Sequence, residues 1–141
     1  MEKLKMIFRV LKKLFGRKEQ SENADAVTSL PPIHFSCITL VSTTPSNSQI
    51  GFNDFFVVEY KGKKYWTLFQ CPCGCGEIIS LSLQDEHDNT WQVVKSKHNR
   101  PTLHPSVWQN QGCCSHFILT DGRIYWCGNT GSPPDLYDEV E

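Results

Sequence analysis

Three cysteines occupy alternate positions in the segment CPCGCG, residues 71–76. Proline and glycine separate Cys71, Cys73 and Cys75, and both residue types suit a tight backbone path that can turn several sulfur atoms toward one centre. A zinc ion is held by about four nitrogen or sulfur ligands in a tetrahedron, and thiolates suit it well. The triplet is therefore a candidate for two or three ligands of a zinc site, although a redox triplet or buried packing cysteines would use the same residues.

The remaining ligands of such a site would have to come from another part of the chain. Three further cysteines and a histidine lie on or beside one segment near the C-terminus: Cys113, Cys114, His116 and Cys127. Strand alternation would place Cys114 and His116 on one face and Ser115 on the other. Cys37 lies in an apolar segment and is expected to be an inert core thiol.

The composition indicates a globular protein in a reducing compartment. The chain has seven cysteines, so a complete set of disulfides would leave one thiol over. It shows neither a secretory signal nor a run of the ~18–20 apolar residues that a membrane-spanning helix needs. The expected location is therefore cytoplasmic, where clustered cysteines are more often metal ligands than disulfides. The net charge of −1 argues against a general nucleic-acid-binding protein, so no nucleic-acid partner is expected.

Most of these residues lie on or beside segments that are predicted to be strands. Segments rich in β-branched and aromatic residues, separated by turn signals, predict a mostly β fold, a small single-domain strand meander over residues 33–130 with a zinc-stapled loop. The predicted strands are 33–42, a hairpin over 55–70 turned at Lys61-Gly62-Lys63, 77–83, 90–96, and a hairpin over 116–127 turned at Asp121-Gly122. Residues 131–141 are expected to form an acidic tail.

An amphipathic helix is predicted ahead of this domain. Apolar residues recur at helical spacing through residues 1–18, and lysines and arginines occupy the remaining surface. A helix of this kind can lie on an anionic membrane surface, which would place the protein at the inner membrane surface, or it can dock on its own domain or on a partner. Residues 19–32 have the composition of a linker.

Five motifs follow one another in a specific order over about residues 55–127. They are CPCGCG (71–76), a strand bearing tryptophan, PSV (105–107), CSHFIL (114–119) and RIYW (123–126). In this order the chain resembles a family of small bacterial metal-binding proteins of unknown function, encoded beside ubiquitin-like proteins and their activating and conjugating enzymes. That family is suspected of a serine-type peptidase activity that trims or removes ubiquitin-like tags. The resemblance implies a ubiquitin-like protein or its conjugation enzymes as partners.

The resemblance also implies a set of site residues. The implied ligands of Zn²⁺ are Cys71, Cys73, Cys75 and Cys114. Cys113 and Cys127 do not clearly belong to the family pattern. The polar residues that match it are Ser106, Ser115 and His116.

Ser106 and His116 could form the catalytic pair of a serine peptidase. A serine nucleophile needs a base within hydrogen-bond reach, and His116 is the natural partner on the next strand. Ser106 follows Pro105 in a segment predicted to be a loop, where a hydroxyl can be presented, whereas Ser115 should point to the opposite face. No third catalytic residue is identified. If His116 were instead a zinc ligand, water bound to the metal could attack the substrate.

Two classes of function follow from these residues. The first is a zinc-stabilised serine-type peptidase that processes or removes ubiquitin-like proteins in a bacterial conjugation pathway. The second is a non-catalytic zinc-stapled β module that binds a component of that pathway. A redox protein that uses the cysteine triplet is a third reading.

Overall fold

The computed structural model describes residues 29–134. These residues form β1 (Thr39–Val41), β2 (Phe55–Tyr60), β3 (Lys63–Gln70), β4 (Ile78–Ser82), β5 (Gln92–Lys95), β6 (Pro101–Trp108), β7 (His116–Thr120) and β8 (Arg123–Trp126), with one 3-10 turn at Asn47–Gln49. The prediction of a mostly β fold is confirmed. Within the described residues, no helix has the length and apolar character that crossing a membrane requires.

Some of the predicted segments lie outside the described residues. They are the amphipathic helix of residues 1–18, most of the linker, and the acidic tail beyond residue 134. Membrane contact through residues 1–18 therefore stays a prediction. All eight strands belong to a compact unit that begins at Pro31.

The strands form two sheets of four strands each. The order is β1-β2-β3-β4 in the first sheet and β5-β6-β7-β8 in the second, so each sheet follows the sequence as a meander does. Strand β1 pairs with β2 in parallel, and the other pairs are antiparallel. The predicted hairpins over 55–70 and 116–127 are present, one in each sheet.

One apolar cluster contains residues from both sheets, and it is the main core of the domain. The first sheet contributes Phe55, Val57, Phe69, Ile79 and Leu81, and the second contributes Leu103, Val107, Phe117, Leu119 and Ile124. Phe35 and Cys71 complete the buried cluster, and both are inaccessible to solvent. Because Cys71 directly follows β3, this burial fixes the start of the cysteine loop against the core.

The segment before β1 differs from the prediction. Only Thr39–Val41 of the predicted strand 33–42 forms a strand, and Ile33 makes an isolated bridge with Arg123. The backbone N–H groups of His34 and Phe35 instead donate to the carbonyl of Gly122, at 2.8 and 3.0 Å. Cys37 is exposed, so its prediction as a core thiol is wrong. The first part of this segment is thus held by the buried Phe35 and its bonds to Gly122, and only its last part pairs along a sheet.

Strand β6 runs through the segment that was predicted to be a loop around Ser106. Two prolines, Pro101 and Pro105, argue against a strand because proline cannot donate to the ladder. The structure accommodates both residues: Pro101 is the first residue of β6, and Pro105 lies where the pairing register with β7 shifts, between Leu103 and Val107. Register irregularities of this kind are frequent beside active sites, where they re-aim a side chain.

The turn between β7 and β8 gives a first testable prediction. Gly122 has a φ of +73°, and a Cβ atom there would come within 2.1 Å of the carbonyl oxygen of Phe35. We expect Gly122→Ala to lower the free energy of unfolding by about 2 kcal/mol or more, because backbone strain and a collision with a buried anchor act together. Denaturant unfolding measures the change.

Gly62 provides the matched control for this variant. It occupies the β2–β3 turn with a φ of +79°, and nothing lies within 4 Å of its would-be Cβ atom. Gly62→Ala therefore introduces the same kind of strain without the collision, and it should cost about 1 kcal/mol. Equal destabilisation by the two variants would show that the contact with Phe35 carries no weight.

Candidate functional site

Ser106 and His116 lie in direct hydrogen-bond contact. The Oγ atom of Ser106 is 3.1 Å from Nε2 of His116. On the other side of the ring, Nδ1 of His116 is 2.6 Å from Oδ1 of Asn129. The three side chains thus form a continuous chain, serine to histidine to asparagine, and all three are half-buried.

The asparagine oxygen determines which nitrogen of His116 carries the proton. An amide oxygen can only accept a hydrogen bond, so Nδ1 must donate to it. In the neutral ring this leaves the lone pair on Nε2, which faces the hydroxyl of Ser106. A histidine in this state can accept the serine proton, which is the requirement for activating a serine nucleophile.

The pairing of β6 with β7 brings the serine and the histidine together. In this register Val107 is opposite Phe117, and Trp108 is opposite His116. Val107 and Phe117 are buried in the core, so Ser106, Trp108 and His116 lie on the outer face of the same sheet. The indole of Trp108 stacks on the His116 ring, with centroids 4.3 Å apart and planes 3° from parallel, which limits rotation of the imidazole.

The segment after β8 brings Asn129 to the histidine. Three hydrogen bonds hold this segment against the start of β7: His116 N–H to Thr130 Oγ1 at 2.9 Å, Cys127 N–H to the His116 carbonyl at 2.9 Å, and Gly131 N–H to the Cys114 carbonyl at 2.9 Å. Sequence reasoning did not identify Asn129. The one available signal was a side-chain amide within a polar turn directly after a predicted hairpin, and many turns contain such a residue.

Four cysteines form a second cluster near this site. The Sγ atoms of Cys71, Cys73, Cys75 and Cys113 all lie within 4.8 Å of one another. The sulfur of Cys71 is 3.4 Å from that of Cys73 and 3.8 Å from that of Cys113. Four thiolates around zinc at ~2.3 Å would have sulfur atoms about 3.8 Å apart in a tetrahedron. The donor set and its spacing therefore fit a four-coordinate zinc ion.

The local backbone explains why the triplet can converge. Gly74 and Gly76 have φ angles of +90° and +86°, which glycine adopts without a steric penalty. The N–H of Gly74 donates to the Cys71 carbonyl at 3.2 Å, and the N–H of Cys75 donates to the sulfur of Cys73 at 3.4 Å. The loop thus curls around its own sulfur atoms.

The structure brings together only part of the cysteine set that the resemblance implies. Cys71, Cys73 and Cys75 are in the cluster, but Cys114 is not, and Cys113 takes the fourth place. Cys114 is buried and has a φ of +52°, a left-handed conformation that interrupts strand alternation just before β7 begins at His116. The expectation that Cys114 and His116 share one strand face therefore does not apply, because Cys114 is not in a strand conformation. Cys127 is also outside the cluster.

The protonation of the cysteine thiols is uneven when no metal is bound. Burial raises the pKa of Cys71. Burial also acts to raise the pKa of Cys73, but hydrogen bonds from Ser115 and Cys71 and from the N–H of Cys75 outweigh it and lower the pKa to about 7. At neutral pH the exposed Cys73 is therefore more readily deprotonated than the buried Cys71. The thiolate is the form of cysteine that binds metal.

The cysteine cluster and the serine–histidine pair share one short segment. Cys113 belongs to the cluster, the Ser115 side chain acts to lower the pKa of Cys71 and of Cys73, and His116 follows directly. The carbonyl of Ser115 also accepts from the N–H of Gln109 at 2.9 Å, next to the end of β6. A metal that fixes residue 113 would therefore also fix the backbone that leads into the histidine.

Comparison with known proteins identifies a family for this chain. The model of one protein family, described as the bacterial ubiquitination-like system serine protease (BubE), matches residues 40–127. No curated protein and no solved structure matches the chain. The match spans more than half of the chain, and it includes Ser106, His116 and the four clustered cysteines but not Asn129. The chain belongs to the family of serine proteases of bacterial ubiquitination-like systems.

Proposed function

We propose that this protein is a zinc-stabilised serine peptidase that processes or removes ubiquitin-like proteins in a bacterial conjugation pathway. The observation that carries the proposal is the hydrogen-bonded chain from Ser106 through His116 to Asn129, with distances of 3.1 and 2.6 Å, in a member of a serine protease family. Both ring nitrogens of His116 have hydrogen-bond partners, Ser106 and Asn129, and His116 is not in the cysteine cluster. Its geometry suits a base better than a zinc ligand.

In the proposed acyl-transfer reaction Ser106 is the nucleophile, His116 is the general base and acid, and Asn129 orients His116. The Oγ atom of Ser106 attacks the carbonyl carbon of the substrate while Nε2 of His116 takes the hydroxyl proton. His116 then gives that proton to the departing amine, and an acyl-enzyme on Ser106 remains. Water, activated by the same nitrogen, hydrolyses the ester and restores the hydroxyl. Asn129 holds the Nδ1–H throughout, and as a neutral amide it fixes the tautomer without adding charge.

The zinc is proposed to be structural, with Cys71, Cys73, Cys75 and Cys113 as its ligands. Four thiolates complete a tetrahedral site and leave no open position for a reacting water, so the metal supplies folding energy rather than chemistry. The set with Cys114 in the fourth place is the alternative that the resemblance implies. The core placement of Cys71 and the position of Cys113 before β7 mean that the four ligands join the two sheets.

Labelling of the nucleophile tests the proposal. A fluorophosphonate probe should add one phosphonyl group to the wild-type protein, and peptide mass analysis should place it on Ser106. Ser106→Ala should lose the label and reduce cleavage of a C-terminally extended ubiquitin-like precursor by about 10⁴-fold or more, with unchanged zinc content. The exposed Ser48 provides the control, since Ser48→Ala should behave as wild type.

The opposite result would identify the second class of function. A wild-type protein that contains zinc, is folded, and neither takes the label nor cleaves the precursor would not be a serine peptidase. It would then act as a zinc-stapled β module, and binding of the precursor without cleavage would be its measurable activity.

A further inference from the structure

A cleft of about 360 Å³ borders the strand that carries Ser106. Its walls are residues 78–81 of β4 in the first sheet and residues 107–110 at the end of β6 in the second sheet, and Trp91 lies between them. Trp91 connects the two walls, because its backbone N–H donates to the Ser82 carbonyl at 2.8 Å and its indole Nε1–H donates to the Ser106 carbonyl at 3.3 Å. The lining of the cleft thus begins at Val107, the residue after Ser106, and Trp91 links the cleft to the Ser106 carbonyl.

The wall formed by β4 is the edge of its sheet. Within the described part of the chain β4 pairs with β3 alone. On the side that faces β3, the N–H of Leu83 donates to the carbonyl of Tyr65. On the side that faces away from β3, the carbonyl of Ser82 accepts from the N–H of Trp91. Since backbone groups alternate in direction along a strand, the N–H and carbonyl groups of Ile78 and Ser80 point away from β3 and into the cleft. An edge of this kind is a template for pairing with another extended chain.

The wall formed by β6 is also open beside the nucleophile. Strand β5 pairs with β6 only as far as His104. Past that point, the N–H of Gln109 donates toward β7, to the Ser115 carbonyl, so the carbonyl of Ser106 points the opposite way, where Trp91 meets it. The cleft therefore borders this segment from Val107 onward, next to Ser106 and past the last residue that pairs with β5.

The chemistry of the lining indicates what the cleft accepts. Its side chains are apolar, aromatic, hydroxyl or amide: Ile78, Ile79, Ser80, Leu81, Trp91, Val107, Trp108, Gln109 and Asn110. None of them is charged, so a charged side chain placed here would lose hydration without gaining an ion pair. The volume is in the range of about 300–1,000 Å³ that is typical of ligand sites.

We propose that this cleft binds an extended, uncharged stretch of the polypeptide substrate, which adds to the β4 edge as a further strand and passes beside Ser106. Addition of a strand to a sheet edge uses main-chain hydrogen bonds for affinity and side-chain pockets for selection. The inference rests on the proposed peptidase function and specifies its substrate: the residues around the cleaved bond are extended and carry no charge.

Ser80→Pro tests the pairing with little disturbance of the enzyme. Proline removes the N–H that points into the cleft and leaves the β3–β4 ladder intact, because that N–H is not part of the ladder. Ser80→Ala is the matched control, since it loses the hydroxyl and keeps the N–H. With an uncharged C-terminal extension on a ubiquitin-like precursor, kcat/KM should be about tenfold lower or more in Ser80→Pro than in Ser80→Ala, because only the proline variant lacks the N–H that pairs with the substrate.

Fluorophosphonate labelling separates this inference from the proposed function. The small probe does not need the β4 edge, so the labelling rate of Ser80→Pro should fall far less than its kcat/KM on the precursor. Equal cleavage by Ser80→Pro and Ser80→Ala, with normal labelling, would overturn the cleft as a substrate site and leave the peptidase intact. Absence of labelling in the wild-type protein would instead overturn the peptidase.

Hydrogen exchange provides a second readout that needs neither catalysis nor a change in the cleft. When the precursor is added to Ser106→Ala, the amides of Ile78 and Ser80 should exchange more slowly, whereas the amide of the exposed Thr39 on β1, at the opposite edge of the same sheet, should not change. Unchanged exchange at residues 78 and 80 under saturating precursor would reject the proposed pairing, even if Ser80→Pro failed to fold.

Discussion

Cys113→Ser is expected to lose its zinc and to unfold far more easily than the wild-type protein, whereas Cys114→Ser should keep the metal. Cys113 lies in the four-sulfur cluster and Cys114 does not. Loss of one of four ligands should lower the free energy of unfolding by about 3 kcal/mol or more, because metal binding and folding are linked. Metal analysis and thermal melting of the two purified variants measure the difference.

Cys114→Ser is the matched control for Cys113→Ser, because the two cysteines are adjacent in the chain. Cys114 is buried, so Cys114→Ser places a hydroxyl in the interior and should cost about 1–3 kcal/mol without loss of zinc. The reverse outcome, with zinc lost in Cys114→Ser and retained in Cys113→Ser, would favour the ligand set implied by the family pattern. Loss of zinc should also abolish labelling of Ser106, because the segment from Cys113 leads directly into His116.

Asn129→Ala is expected to reduce kcat by about 10²–10⁴-fold while zinc content and folding stay close to wild type. Without the amide oxygen, Nδ1 of His116 loses its 2.6 Å partner, and the ring is free to adopt the tautomer whose proton faces Ser106. Asn129 does not touch the serine, so we class it as a positioning residue. Steady-state kinetics on the extended precursor should show the loss mainly in kcat rather than in KM.

Asn129→Asp is the conservative counterpart and should recover much of the activity. A carboxylate also accepts from Nδ1–H, and its charge stabilises the protonated imidazole. Because the base must be neutral to accept the serine proton, the acidic limb of the pH–rate profile should move to higher pH in this variant. If Asn129→Ala shows wild-type kcat and an unchanged pH profile, Asn129 has no role in positioning the histidine.

Local sequence signals were sufficient for most of the strands. The hairpins over 55–70 and 116–127 each combine a two-residue turn with flanking β-branched and aromatic residues, and both are present. Strand β6 was not predictable in the same way, because Pro101 and Pro105 carry a local preference against strands that the pairing with β7 overrides. Of the strand predicted at 33–42 only Thr39–Val41 is present, because the residues before it bond to the β7–β8 turn around the buried Phe35 instead of joining a sheet.

The candidate site was predictable where a motif contains its residues. The close triplet led to Cys71, Cys73 and Cys75, and the motifs PSV and CSHFIL contain Ser106 and His116. Whether Cys113 or Cys114 joins the cluster depends on the left-handed backbone conformation of Cys114, and no local sequence pattern predicts that conformation. Asn129 depends on how the chain folds back after β8, beyond the region that the family model matches.

The cysteine cluster also has a consequence for the order in which the molecule assembles. Within each sheet the paired strands are neighbours in the chain, so their contacts close short loops and can form early. The contact between Cys71 and Cys113 closes a loop of 42 residues. The part of the loop-closure entropy that depends on loop length is about 3 kcal/mol for this loop. If a metal ion bound the triplet before the second sheet had formed, the addition of Cys113 would be a later, intramolecular step. All the proposed catalytic side chains lie on that second sheet or directly after it, so coordination of the ion by all four sulfur atoms would require the catalytic half of the domain to have docked.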